Sequence, residues 1–178
     1  RAHAIDAEGN VVYAKNGEET EVMFSPEEAD RMKGTMLVHN HPGEPPVTLS
    51  PADVAMAVAC GCDSIVAVTS STTFRYSGFK KLSDKLYWIF HHDVSNLYTE
   101  GSVSEGYIDR EVRQRIVNQV FEWVTDSLND VRDMYNSIKT ESVGDTMEKW
   151  NSPEMQAKAQ DVRMAEFARK NGGIYEKW

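Results

Sequence analysis

The stretch from His39 to Asp53 constrains this chain more than any other, because it sets a strand end, a helix start and the chemistry between them. His39 and His41 stand one residue apart at the end of the apolar run Thr35–Val38. A run this short, bounded by turn residues, predicts a buried strand. Side chains at i and i+2 of a strand face the same side, so the two imidazoles project together. A Pro/Gly-rich loop, Gly43 to Leu49, follows and ends in Ser50-Pro51-Ala52-Asp53. That tetrapeptide reads as a helix start. Ser is the N-cap, Pro takes the first helical position, and the acid lies near the positive end of the helix dipole. A strand end therefore presents two imidazoles, and the next helix returns a carboxylate and a hydroxyl towards them. Two neutral imidazoles and a carboxylate form a donor set suited to zinc, with the fourth tetrahedral position left to water. An open site of this kind makes a hydroxide-like nucleophile near neutral pH and polarises a carbonyl.

The same stretch resembles the JAMM (JAB or MPN-plus) metalloprotease family. The family signature is His-x-His-Pro, seven residues, Ser, two residues, Asp; here it runs His39-Asn40-His41-Pro42, Gly43 to Leu49, Ser50, Pro51-Ala52, Asp53. The resemblance implies His39, His41 and Asp53 as zinc ligands. It implies Ser50 as the catalytic hydrogen-bond donor to the oxyanion of a tetrahedral intermediate. A His-x-His pair on a strand needs no metal by itself, and Ser-Pro-Ala-Asp alone is a common helix start. Their joint occurrence at the family spacing is what capping alone does not produce.

The chain has 178 residues, enough for one domain with a real core or for a small domain with an extension. Its formal net charge of −9 argues against a nucleic-acid partner, whose phosphates need a basic face. Cys60 and Cys62 are too close for an ordinary disulfide framework and read as two buried or half-buried thiols. A soft-metal Cys-x-Cys site is the alternative, but no second pair exists to complete it. Free thiols fit a reducing, cytoplasmic setting. No run is apolar enough for a membrane span, and no secretory signal is visible. The chain begins with Arg rather than Met, which suggests a preceding segment.

Along the chain, Ala2–Asp6 and Val11–Ala14 read as a β-hairpin around the turn Ala7–Asn10. Thr20–Phe24 alternates and reads as a third strand. Ser25-Pro26-Glu27-Glu28 opens a short helix to about Met32, and Gly34 ends it. His3, on the first strand, reads as unrelated to the site. Asp53 to Cys60 is a helix of small residues stopped by Gly61. Ser64–Thr69 is an apolar strand of the doubly buried kind, and Thr72–Tyr76 pairs with it. Leu82 to Leu97 reads as a helix; its His91-His92-Asp93 cluster reads as solvated surface, since adjacent helical residues point about 100° apart. After the polar linker Gly101–Gly106, apolar residues recur at helical spacing from Ile108 to Ile138. This predicts one long amphipathic helix over 107–139, whose stripe needs the sheet, the last helix or another protein as partner. A linker near Val143–Asp145, a final polar helix from Ser152 to Arg169 and a mobile tail complete the chain.

The expected fold is α/β, a mixed β-sheet flanked by helices, followed by an all-helical C-terminal extension. Residues 1–100 form the first unit and 107–178 the helical extension, with a packing or tethering role. The resemblance places the first unit among JAB/MPN, cytidine-deaminase-like folds, nearest the short bacterial and phage JAMM domains that include RadC-like proteins. It implies a Zn2+-dependent metallopeptidase or isopeptidase acting on a protein or peptide, with Gly43–Leu49 rimming the substrate groove. It also implies a general-base Glu on a strand upstream of the histidines. Glu8, Glu18 and Glu19 lie at turns and Glu21 faces solvent, so this Glu is expected before Arg1. Two other readings stand beside this one. The first is a non-catalytic JAB/MPN-like interaction module with a helix-mediated partner. The second is nucleic-acid processing by analogy with RadC, against which the acidic balance counts.

Overall fold

A computed structural model of the chain describes residues 1–18, 22–97, 104–139 and 152–178. Strands β1 (Ala2–Ile5) and β2 (Val11–Lys15) form the hairpin, and helix α1 (Pro26–Asp30) follows. Then come β3 (Met36–Asn40), α2 (Pro51–Ala59), β4 (Ser64–Val68) and β5 (Thr73–Ser77). The long helices α3 (Phe79–Leu97), α4 (Glu105–Lys139) and α5 (Pro153–Asn171) lead to a last strand, β6 (Ile174–Lys177). The strands make one six-stranded mixed sheet in the order β2-β1-β3-β4-β5-β6, in which only β3 and β4 run parallel.

The pleat decides which side chains meet. Ala2 pairs with His39 and Ala4 with Leu37. Leu37 pairs with Ile65 and His39 with Ala67. Ile65 then opposes Tyr76, and Ala67 opposes Phe74. All eight therefore share one face. The hydrophobic core sits there: Ala4, Ala67, Ile65, Phe74 and Tyr76 are buried. On the opposite face His3, Ile5, Val38, Thr73 and Arg75 are half-buried, and Val68 and Ile174 are exposed. The described helices flank the sheet from its core face. Glu28 of α1 bonds Tyr13 and Lys15 of β2, whereas Phe79 of α3 and Phe167 of α5 pack on Tyr76.

Helix α2 consists largely of small residues, so α4 and the sheet approach it closely. Val112, Ile116 and Val120 are the buried stripe of α4, spaced one turn apart. That stripe finds its partners within the chain, in α2, α3 and α5. In α3, Leu86 and Val94 are buried while His92 and Asp93 are exposed, as a solvated cluster requires. No helix among the described residues is long and apolar enough to cross a membrane.

Two expectations are corrected. The third strand expected over Thr20–Phe24 is not seen in its described part, Val22–Phe24. Residues 19–21 lie outside the described residues, and Val22–Phe24 carry no ladder. β2 ends the sheet with no strand paired to its outer edge among the described residues. Val22 and Phe24 instead pack against the core. The C-terminal part is not all-helical, because its tail forms β6, which completes the sheet against β5. Gly172 caps α5 in the left-handed conformation (φ 73°) and turns the chain back. The expected linker near Val143–Asp145 lies outside the described residues.

Candidate metal centre

Strand alternation carries both histidines to one place. His41 lies just beyond β3, yet its N–H bonds the Val68 carbonyl at 2.8 Å and continues the ladder to β4. The imidazoles meet edge to face, with Nε2 atoms 2.9 Å apart and an interplanar angle of 75°. Asp53 comes from the first turn of α2. One carboxylate oxygen is 3.3 Å from His39 Nε2 and the other 3.3 Å from His41 Nε2.

The helix start positions that carboxylate. Ser50 is the N-cap, and its Oγ accepts the Asp53 N–H at 3.2 Å. In return Asp53 Oδ2 accepts the Ser50 N–H at 2.7 Å. This reciprocal capping box fixes the carboxylate by local geometry, with Pro51 at the first helical position. The Ser50 hydroxyl uses a lone pair in the cap and keeps its proton for another acceptor.

His41 has a defined tautomer. Its Nδ1 lies 3.0 Å from the Val47 carbonyl, which only accepts, so Nδ1 carries the proton: the neutral ring presents a lone pair at Nε2, and the protonated ring donates from Nε2 to Asp53 as well. Burial disfavours the protonated imidazole, but the hydrogen bond and charge of Asp53 outweigh it and raise the His41 pKa. Burial likewise opposes ionisation of Asp53. Hydrogen bonds from His39 and His41, the charge of His39 and the Ser50 bond prevail and hold the carboxyl far below the usual range. His39 Nδ1 is buried without a hydrogen-bond partner, so packing rather than an outer acceptor orients this ring.

The donor set fits a zinc ion. Ligands at about 2.0–2.1 Å in a tetrahedron lie roughly 3.3 Å from one another. His39, His41 and Asp53 bring one ligand atom each to within 4.8 Å of the others, and no other such group occurs among the described residues. Each imidazole Nε2 lies at the tetrahedral separation from one oxygen of Asp53, His39 from Oδ1 and His41 from Oδ2, and the imidazoles need open by only a few tenths of an ångström.

The cluster opens into a cavity of about 480 Å3. Val22, Met23, Phe24 and Met56 give it an apolar wall, and Ser50 lies at the cluster end. Comparison with protein-family models, with curated proteins and with solved structures finds no match to this chain.

The remaining candidates divide by position. Asn40 points away from the cluster along the strand, and its Oδ1 accepts from the Arg1 backbone nitrogen at 2.7 Å. His3 pairs with Val38 on the opposite face and takes no part. Glu8 sits in the β1–β2 turn, at the far end of the hairpin from Ala2 and His39. Glu19 and Glu21 lie outside the described residues. Glu18, read from the sequence as a turn residue, lines the cavity with Asp53, and these two are its only carboxylates among the described residues. No local pattern marks it; the hairpin direction brings the end of β2 to the end of β3.

Proposed function

We propose that this chain is a zinc-dependent metallopeptidase or isopeptidase of the JAMM type, acting on a protein or peptide. One observation carries the reading: His39, His41 and Asp53 converge beside a capped Ser50 at the end of an apolar cavity. Bound there, zinc would lower the pKa of a water molecule and polarise the scissile carbonyl. The chain's own residues do the rest. His41, with Nδ1 tied to Val47, offers Nε2 in a set orientation. Asp53 is held ionised and aimed by its capping box. Ser50 can donate its hydroxyl proton to an oxygen that gains negative charge in the transition state. The wall of Val22, Phe24 and Met56 suits an apolar substrate side chain beside the scissile bond and excludes water from it. Val47 brings the loop Gly43–Leu49 to the cavity. Its Glu44 is hydrogen-bonded to Ser70 of the β4–β5 turn, which keeps the entrance in shape.

The attacking water must lose a proton to a positioned base. Glu18 is the carboxylate beside the cavity available for this among the described residues, apart from Asp53 itself. The two free, buried cysteines suit a cytoplasmic setting.

The test is metal analysis of the purified chain, followed by peptide cleavage with and without a chelator. About one zinc per chain and chelator-sensitive cleavage are expected. His39→Ala, His41→Ala and Asp53→Ala should each lose most of the zinc, and stoichiometric zinc in all three rejects the site. Glu18→Gln should keep zinc and lose turnover if Glu18 takes the proton. Zinc without cleavage in the parent chain and in a longer chain that includes the segment before Arg1 identifies a non-catalytic interaction module instead.

A further inference from the structure

The loop that joins the histidines to Asp53 is held from the far end of the chain. Its flanking backbone hydrogen bonds are His41 N–H to Val68 O and Val54 N–H to Ser50 O. Between these, side chains from α5 and β6 tie it down. Thr48 Oγ1 lies 2.7 Å from the Tyr175 hydroxyl. That hydroxyl also bonds Asp161 Oδ1, while Lys177 Nζ donates to Asp161 Oδ2 at 2.8 Å. At the next loop residue, Gln160 Nε2 donates to the Leu49 carbonyl at 3.1 Å.

The proton inventory orients this network. An ionised carboxylate only accepts, so Tyr175 gives its one proton to Asp161 and must accept from Thr48. The chain Thr48 to Tyr175 to Asp161, with Lys177 supplying the counter-charge, has a single direction. Burial first, and then Asp161, push the Tyr175 pKa up, so the phenol keeps this proton. Thr48 and Leu49 are themselves fully buried, and a lost partner there would leave a polar group without water.

The tied residues stand between two ligand-setting contacts. Val47, one residue before, accepts from His41 Nδ1. Ser50, one residue after, caps α2 and holds Asp53. We propose that Gln160 and Tyr175 are positioning residues for the metal centre: the C-terminal helix and strand brace residues 47–50 so that His41 and Asp53 keep their ligand geometry. The inference rests on the reading of His39, His41 and Asp53 as that centre. It gives the C-terminal unit a task in the site although it contributes no ligand.

The test uses the full chain and two metals. Zinc affinity is measured by competition with a chromophoric chelator. The visible absorption of the cobalt(II)-loaded protein reports ligand geometry independently of any cleavage. Circular dichroism and thermal unfolding of the metal-free protein monitor the fold. In Tyr175→Phe/Gln160→Met, zinc affinity should fall about 10-fold or more, the size typical of lost outer partners of metal ligands. The cobalt bands should shift while the metal-free protein remains folded. Thr48→Val should lose affinity as Tyr175→Phe does, the pair together should lose no more than either alone, and Thr48→Ser should restore the parent value. Unchanged zinc affinity and cobalt spectrum in a folded Tyr175→Phe/Gln160→Met overturn the brace. Should that variant not fold, Thr48→Val with the affinity of Thr48→Ser overturns it equally. A parent chain that takes up neither metal rejects the metal centre itself, a different result from a parent that binds and a variant that binds as well.

Discussion

Gly173 is where the last strand enters the fold, and adding one methyl there tests how tightly β6 is docked. A Cβ built on Gly173 would lie 2.5 Å from the Tyr76 hydroxyl oxygen, 2.7 Å from Cζ and 2.9 Å from Cε1. Carbon contacts are comfortable at about 3.5–4.0 Å, so atoms must move by roughly 1 Å. Tyr76 has nowhere to go. It is 1% exposed, stacks on Phe79 at 4.6 Å between centroids and meets Phe167 at 5.8 Å. Overpacking a rigid core position costs about 1–3 kcal/mol. The upper part of that range applies, because the contacts are with a caged ring rather than a flexible chain end. For a domain of this size, about 2–3 kcal/mol lowers Tm by roughly 4–12 °C. The assay is thermal and urea unfolding of Gly173→Ala followed by circular dichroism. Gly106→Ala serves as control: it sits in α4 with nothing within 4 Å of its added Cβ, and should be neutral or slightly stabilising. Adding Tyr76→Phe removes the shortest contact but leaves the ring carbons, so it should recover part of the loss only. A Gly173→Ala protein as stable as its parent refutes the packing argument. Because β6 carries Tyr175, zinc affinity should fall together with stability.

Three further outcomes are expected. Ser50→Ala should retain zinc, slow turnover by roughly 100-fold or more and cost about 1 kcal/mol of stability through the lost cap; unchanged turnover would leave Ser50 a cap alone. Cys60 and Cys62 are buried, and burial pushes both thiols up to about 12. At pH 8 the thiolate fraction is then on the order of 0.0001, so both should resist iodoacetamide until the protein unfolds, and prompt native labelling of either contradicts this. The Lys15 ammonium, the Tyr13 hydroxyl and the Ser25 N–H hold the Glu28 carboxyl down at about 2 against an ordinary 4.5. Its stabilising contribution is therefore complete above the ordinary value and is lost as pH falls from there towards about 2. Glu28→Gln should flatten the acid side of the stability profile, and an unaltered profile removes Glu28 from the account.

The convergence of His39, His41 and Asp53 was legible because the patterns that aim these side chains are local. His39 and His41 share a face through the two-residue period of a strand, and Ser50 and Asp53 lock each other within one helical turn. Neither depends on a distant residue. The buried β4, the small-residue α2 and the stripe of α4 through Val112, Ile116 and Val120 follow likewise from composition and period. The alternation of Thr20–Phe24 predicts a strand in the same way, but Val22–Phe24 carry no ladder, because a period states which side chains face together and not whether the backbone pairs. The outer edge of β2 is free among the described residues, yet Val22 and Phe24 pack on the core rather than pairing there. Ile174–Lys177 shows the converse. Four residues after a Gly-Gly pair carry little strand signal, yet β5 offered an open edge and Gly173 let the backbone pass against Tyr76.

The sequence by itself thus determined the candidate ligands, their facing and the capped helix that returns Asp53. Only the tertiary structure decided that Glu18 lines the cavity and that Thr48 and Leu49 are held by residues 127 and 111 positions away. The physical reason is the range of the interactions. Strand alternation and helix capping act over two to four residues and leave a written pattern, whereas a hydrogen bond across the sheet depends on which edges and faces remain unoccupied when the chain has folded.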